Sequence, residues 1–240
     1  MDIIPAIDII EGKAVRLSKG DYSQKKIYNE HPLEVAQQFE DTGLKRLHLV
    51  DLDGAKAGRV TNWKVLETIA GKTSLIIDFS GGISSEKDVQ ITFNSGAAYA
   101  AVGSMAVRKP VVFQDWLTAF GVEKFILGAD VLDEKIMIKG WTEATEINIF
   151  NFLKHYRTKG LQQFFCTDIS KDGLLQGSSN DLYRKILDEI EGLKLIASGG
   201  VSCIKDLEEL SAIGCSGAIV GKAIYENRIS LKELTHFHNK

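Results

Sequence analysis

The chain has 240 residues, 44% hydrophobic and 25% charged, with 22 Gly and 3 Pro; this ordinary globular composition excludes collagen-like, low-complexity and intrinsically disordered chains. The 29 Lys+Arg against 32 Asp+Glu leave a formal net charge of −3, so no global basic field invites nucleic acid and an anionic ligand must be held locally. Three Cys without paired spacing argue against a disulfide framework and fit a reducing cytoplasm, the start lacks the charged leader and apolar stretch of a signal peptide, and no apolar run approaches the roughly 18 residues of a membrane span.

In chain order, short apolar runs at 3–7, 46–50, 74–79, 99–102, 125–129, 164–168, 193–197 and 218–220 read as strands. Longer segments with helical periodicity lie between them, at 32–42, 62–70, 86–95, 145–159, 180–191 and 204–213. Leu33, Val35, Ala36 and Phe39 recur on one face, as do Leu182, Ile186, Leu187 and Ile190. Strands alternating with helices predict βα units and a parallel sheet. Eight strand runs in a chain of this length match a (β/α)8 barrel, typically about 250 residues; an open doubly wound sheet is the rival that strand count leaves standing.

An internal repeat favours the barrel. Ser80-Gly81-Gly82-Ile83-Ser84 is echoed 118 residues later by Ser198-Gly199-Gly200-Val201-Ser202. At the same offset Asp88 through Gly96 is echoed by Asp206 through Gly214, and Val102-Gly103-Ser104 by Val220-Gly221-Lys222. Ile7-Asp8 pairs with Ala129-Asp130 at 122, and Asp51-Leu52-Asp53-Gly54 loosely with the segment ending Asp172-Gly173 near 119. Features held in register mark a repeated unit, here four βα modules used twice. The expected fold is one α/β domain over 1–240, a (β/α)8 TIM barrel of two similar half-barrels, with no linker or second-domain boundary.

The repeat also places the chemistry. Gly-Gly after a strand turns tightly and leaves N–H groups unobstructed, and a helix opening there completes an anion site. Gly199-Gly200 and Gly221-Lys222 fall in the loops after strands seven and eight, where barrels often hold phosphate. Gly81-Gly82 and Gly103-Ser104 make the equivalent site across the mouth, so the expected ligand carries two phosphates. Asp8 and Asp130 end opposite strands on the catalytic face, where two carboxylates can divide into base and acid if their environments differ; the alternative is that each caps a following helix.

Other candidates keep two readings each. Arg16, between Val15 and Leu17, points to a ligand phosphate or belongs to a surface ribbon. Trp141 after Lys139-Gly140 stacks on a flat heterocycle or packs in the core. Thr167-Asp168-Ile169-Ser170-Lys171-Asp172-Gly173 orients a sugar hydroxyl or a carboxylate, or is a solvated turn. His48 reads as a satisfied buried histidine, and Cys166, Cys203 and Cys215 as small core residues. The five His lack metal spacing, and there is no Walker loop or dinucleotide fingerprint, so the default is catalysis without metal or cofactor.

Together these residues resemble a known family. Ile4-Pro5-Ala6-Ile7-Asp8, Val15-Arg16-Leu17, Gly20-Asp21-Tyr22, the run His48 to Ala55, Gly81-Gly82-Ile83, Lys139-Gly140-Trp141, Thr167 to Gly173 and Ser198-Gly199-Gly200-Val201 are similar to the ProFAR isomerases of histidine biosynthesis. The sister cyclase of that pathway shares the half-barrel repeat but usually differs in the first-strand motif. The resemblance implies an Amadori rearrangement of an aminoaldose to an aminoketose, with Asp8 as general base and Asp130 as general acid. It implies too that Thr167 and Asp172 assist or orient the step and that Trp141 stacks on substrate. Two departures stand out: Ser84 where the family commonly has Arg, and Leu174 where it commonly has Thr. The alternatives are a bifunctional isomerase that also accepts phosphoribosyl anthranilate, and a non-catalytic phosphate-binding barrel. The expected partner is a small bisphosphorylated molecule, with neither nucleic acid nor membrane involved, and the chain is expected to act as a cytoplasmic monomer.

Overall fold

The computed structural model describes residues 1–18 and 20–238. The first strand, β1 (Asp2–Ile10), runs into an antiparallel ribbon, β2 (Lys13–Ser18) and β3 (Asp21–Asn29). Next come β4 (Arg46–Asp51), β5 (Ile76–Ser80), β6 (Tyr99–Val102) and β7 (Phe125–Leu132). A second ribbon, β8 (Lys135–Ile138) and β9 (Glu143–Asn148), follows β7 and precedes β10 (Gln163–Asp168), β11 (Lys194–Ser198) and β12 (Gly217–Val220). Among the described residues, β1, β4, β5, β6, β7, β10, β11 and β12 pair in parallel, each with the next. Asp2 beside Gly217 through Pro5 beside Val220 closes the ring. This is the eight-stranded barrel, and the open-sheet rival falls.

The strand runs are apolar because both faces are covered. Inward, Ile4, Ala6, Ala101, Ile126, Ile196 and Ile219 pack with Phe165 and Tyr99 in a small inner cluster. Outward, residues such as Leu47, Leu49, Phe79, Leu127, Phe164 and Leu195 meet the helices in the larger core. Each helix lays an apolar stripe on the sheet: Val35, Ala36 and Phe39 from Pro32–Asp41, and Tyr183 and Ile186 from Asn180–Glu189. No described helix is long and apolar enough to cross a membrane.

The repeat is visible in the backbone. β5 and β11, and β6 and β12, start and end 118 residues apart, and helices Glu86–Asn94 and Ile204–Ile213 start at the same offset. Asp88 accepts from the backbone N–H of Ser84 and Ser85 at 3.3 and 3.0 Å, while Asp206 accepts from Ser202 and Cys203 at 2.7 and 3.2 Å.

Three expectations need correction. The helix read over 145–159 starts only at Ile149, because Glu143–Asn148 pairs with β8 and Asn148 Oδ1 caps the helix by accepting from Phe150 N at 2.9 Å. Helix Pro110–Phe120, absent from the sequence reading, buries Phe113, Trp116 and Leu117; its composition is apolar well beyond one stripe, which blurs the helical period. Cys203 is exposed at a helix N-terminus, whereas Cys166 and Cys215 are buried.

Candidate active site

A cavity of about 900 Å³ opens at the C-terminal ends of the barrel strands. Asp8, Arg16, Gly81, Gly82, Gly103, Ser104, Asp130, Trp141, Thr167, Asp172, Gly199, Gly200, Gly221 and Lys222 all line it. Every candidate site residue of the sequence reading is thus gathered at one mouth.

Neither principal carboxylate caps a helix. β1 continues past Asp8, which pairs with Val15 of the ribbon, and β7 continues past Asp130 to Leu132. Asp130 lies beside Thr167 in the parallel register of β7 and β10. Burial pushes its carboxyl above the usual carboxylate range, while hydrogen bonds from Trp141 and Thr167 pull it back. A carboxyl raised in this way keeps its proton to higher pH and can serve as an acid. Asp8 is held differently: Arg16 Nη1 donates to its Oδ2 at 2.9 Å, both side chains being nearly buried. Burial also raises Asp172, against the pull of the neighbouring Arg16 guanidinium.

Arg16 stands on the β2–β3 ribbon but reaches inward to Asp8, lying directly under Gly221. Trp141 belongs to the second ribbon at a positive φ of 72°, with its ring 3.1 Å from where a Gly20 side chain would begin. The two ribbons therefore meet over the mouth through Gly20 and Trp141. In the loop after β10 the roles separate. Asp168 braces the turn, accepting from Ser170 N at 2.9 Å, Ser170 Oγ at 2.7 Å and Ser179 Oγ at 2.5 Å, while Thr167 and Asp172 face the cavity.

The glycine loops match between halves. Gly81 and Gly82 have φ of 94° and 83°; Gly199 and Gly200 have 88° and 83°. A side chain on Gly82 would meet Arg59 O at 2.4 Å, and one on Gly200 would meet Gly177 O at 2.2 Å, so both positions demand glycine for conformation and for space. Gly103 and Gly221 repeat the match at φ −116° and −111°. Beside them Ser104 Oγ accepts from Lys139 N at 3.2 Å, and Lys222 Nζ donates to Gly173 O at 2.8 Å.

The sequence reading missed other lining residues. Lys56, Arg108 and Lys139 add cationic groups to the rim. Arg108 lies one turn beyond Ser104 in the short helix Ser104–Arg108, a signal legible only once that helix is recognised. His48 is buried and hydrogen-bonded to Asp78, as a satisfied histidine should be, yet its ring also borders the cavity. Ser84 donates from Oγ to Gly58 O at 2.5 Å and lines the same cavity. Among the described residues, no three His, Cys, Asp or Glu side chains gather as a metal site.

Comparison with known proteins agrees with this geometry. Residues 2–230 match the family described as Histidine biosynthesis protein. Over 237 residues, 99% of this chain and 99% of the relative, the chain is 56% identical to a protein of Flavobacterium johnsoniae and 57% identical to one of Azobacteroides pseudotrichonymphae. A protein of Bacteroides thetaiotaomicron is 53% identical with the same coverage. All three are named 1-(5-phosphoribosyl)-5-((5-phosphoribosylamino)methylideneamino)imidazole-4-carboxamide isomerase. A barrel with this repeat, this mouth and these relatives belongs to the histidine biosynthesis protein family.

Proposed function

We propose that the chain is an aldose–ketose isomerase of histidine biosynthesis, converting the aminoaldose ProFAR into its aminoketose by acid–base catalysis. The observation that carries this reading is the placement of two carboxylates, Asp8 and Asp130, in one cavity flanked by two matched glycine cradles. The relatives' name describes a substrate with two phosphoribosyl groups. One phosphate is assigned to Gly81, Gly82, Gly103 and Ser104, the other to Gly199, Gly200, Gly221 and Lys222. On this reading the chain is one barrel domain over 1–240 and acts as a monomer.

The chemistry follows from the two environments. Asp130, its carboxyl raised by burial, protonates the ribose ring oxygen, and the C1–O bond breaks to give an open Schiff base. Asp8 removes the C2 proton, the electron pair shifts toward nitrogen, and an enolamine forms. Return of a proton to C1 and formation of the C2 carbonyl complete an isomerisation with no change in atoms or oxidation balance. Arg16 steadies Asp8, Thr167 and Asp172 orient the reacting sugar, and Trp141 covers it while donating to Asp130. Transfer by positioned groups of this kind typically contributes ~10²–10⁴-fold.

Steady-state turnover of ProFAR tests the reading. Asp8→Asn and Asp130→Asn should each lower kcat by at least about 10²-fold while retaining product affinity in calorimetry. Binding without turnover in the unmodified chain would overturn it in favour of a binding barrel. Turnover of phosphoribosyl anthranilate as well would widen it to a bifunctional isomerase.

A further inference from the structure

Below the mouth, the first half-barrel holds charged side chains that the acid–base steps do not use. Register sets His48 of β4 beside Ala6 on one side and Asp78 of β5 on the other. The His48 and Asp78 side chains are only 8% and 2% exposed, and His48 Nδ1 is hydrogen-bonded to Asp78 Oδ1. Arg46 approaches Asp78 Oδ2 to 3.8 Å with Nη2, donates from Nη1 to Asp2 Oδ2 at 3.3 Å, and lies over the Tyr99 ring. From the floor of the barrel to its mouth lie Asp2, Arg46, Asp78, His48, then the carboxyls of Asp8 and Asp130.

The groups facing His48 are Asp78 from β5, Asp8 from β1 and Asp130 from β7, with Phe165 of β10 edge-on at 5.5 Å. Burial opposes charge on the imidazole, but the carboxylates outweigh it, Asp78 first, and hold its pKa above the ordinary histidine value. The repeat offers a control within the molecule. The residue 118 positions after Asp78 is Ile196, part of the inner apolar cluster. An aliphatic layer therefore packs this barrel, and replacing a buried ion pair by apolar side chains is often neutral or stabilising. Stability alone gives the dyad no reason to exist.

We propose that Asp78 holds His48 as an imidazolium, a fixed positive charge beneath the mouth that steadies the anionic base Asp8 and tempers the acid Asp130. His48 and Asp78 are then positioning residues. The inference rests on the isomerase reading of that pair. Removing the cation leaves only the Trp141 and Thr167 hydrogen bonds to oppose burial at Asp130, which His48 otherwise also pulls down, so the basic limb of the pH–rate profile moves to higher pH.

Nitrogen-15 NMR of histidine-labelled, ligand-free protein reads the charge without any variant. His48 should show both ring nitrogens protonated at pH 8, where an ordinary imidazole, with a pKa near ~6.5, is neutral. Asp78→Asn should render it neutral. Asp78→Asn and His48→Gln should each lower kcat about tenfold or more with little change in KM and shift the basic limb upward by about one pH unit. The double variant should be no worse than either single one. A neutral His48 in an enzyme that turns over normally overturns the inference alone, as do folded variants whose pH profiles superimpose on the parent's. If the variants do not fold, the unmodified protein's spectrum decides. An unmodified chain without turnover overturns the isomerase reading and this inference with it.

Discussion

Asp130 works against the stability of its own fold. A carboxyl whose folded pKa lies above the unfolded one binds more protons when folded, so it supports the fold at acid pH. That support is lost as pH rises through the window from the ordinary carboxylate value to the raised folded one, and at neutral pH the group is a net cost. Asp130→Asn keeps an acceptor for Trp141 and Thr167 and should stabilise the protein by about 1 kcal/mol at pH 7. Thermal melts should show this gain shrinking toward pH 4; a variant less stable at pH 7 contradicts the account. Gly82→Ala and Gly200→Ala should act oppositely, each costing about 1–3 kcal/mol through positive φ and the close carbonyl behind it. At this scale much was legible: Asp8 and Asp130 each follow an apolar run, though their strands continue beyond them, and the Gly-Gly pairs recur in register. The His48–Asp78 pairing was not, because it depends on which strands lie side by side, and nothing within either strand records that.

The ribbons are where local sequence said least and the site gains most. β3 is largely exposed, with polar residues on most of its length, so the alternation that marks a half-buried strand is missing. What holds it down is distant in the chain. Lys26 Nζ donates to Glu226 at 2.9 Å, Tyr28 OH donates to the same carboxylate, and the Tyr28 and Tyr225 rings lie 4.8 Å apart. Glu226 immediately follows the short helix Lys222–Tyr225, which begins at the Gly221 cradle. Glu226→Ala should therefore cost less than about 1 kcal/mol of global stability, as exposed ion pairs do. It should nonetheless raise KM several-fold, because the same ribbon carries Arg16. Hydrogen exchange should show faster amides in β3 while the barrel strands keep their protection; unchanged exchange in β3 would sink the anchoring role. The barrel strands and most of the long helices were legible from periodicity, helix Pro110–Phe120 being the exception. Residues 145–148 of β9 read as the start of the following helix because polar residues such as Glu146 fit either state.

Across the whole molecule, a net charge of −3 coexists with a mouth rimmed by Lys56, Arg108, Lys139 and Lys222. Local cations on a mildly acidic body draw an anion to one place while repelling it elsewhere. Salt screens such attraction over about 8–10 Å at 0.1–0.15 M. Raising ionic strength should therefore raise KM for the bisphosphorylated substrate while leaving kcat nearly constant, and a monophosphorylated analogue should respond less; a salt-insensitive KM would contradict the local-field argument. The near-identity of the two glycine cradles has one more effect. On the proposed assignment of one phosphate to each cradle, a ligand with a phosphate at each end meets two berths of closely similar backbone and can enter in either sense. Only the forward sense brings the aminoaldose sugar to Asp130 and Asp8; the reversed one occupies the enzyme unproductively. On that assignment the free energy separating the two senses resides in side chains that differ across the barrel, among them Trp141, Arg16, the His48–Asp78 dyad and Lys222 opposite Ser104, which would then arbitrate substrate polarity.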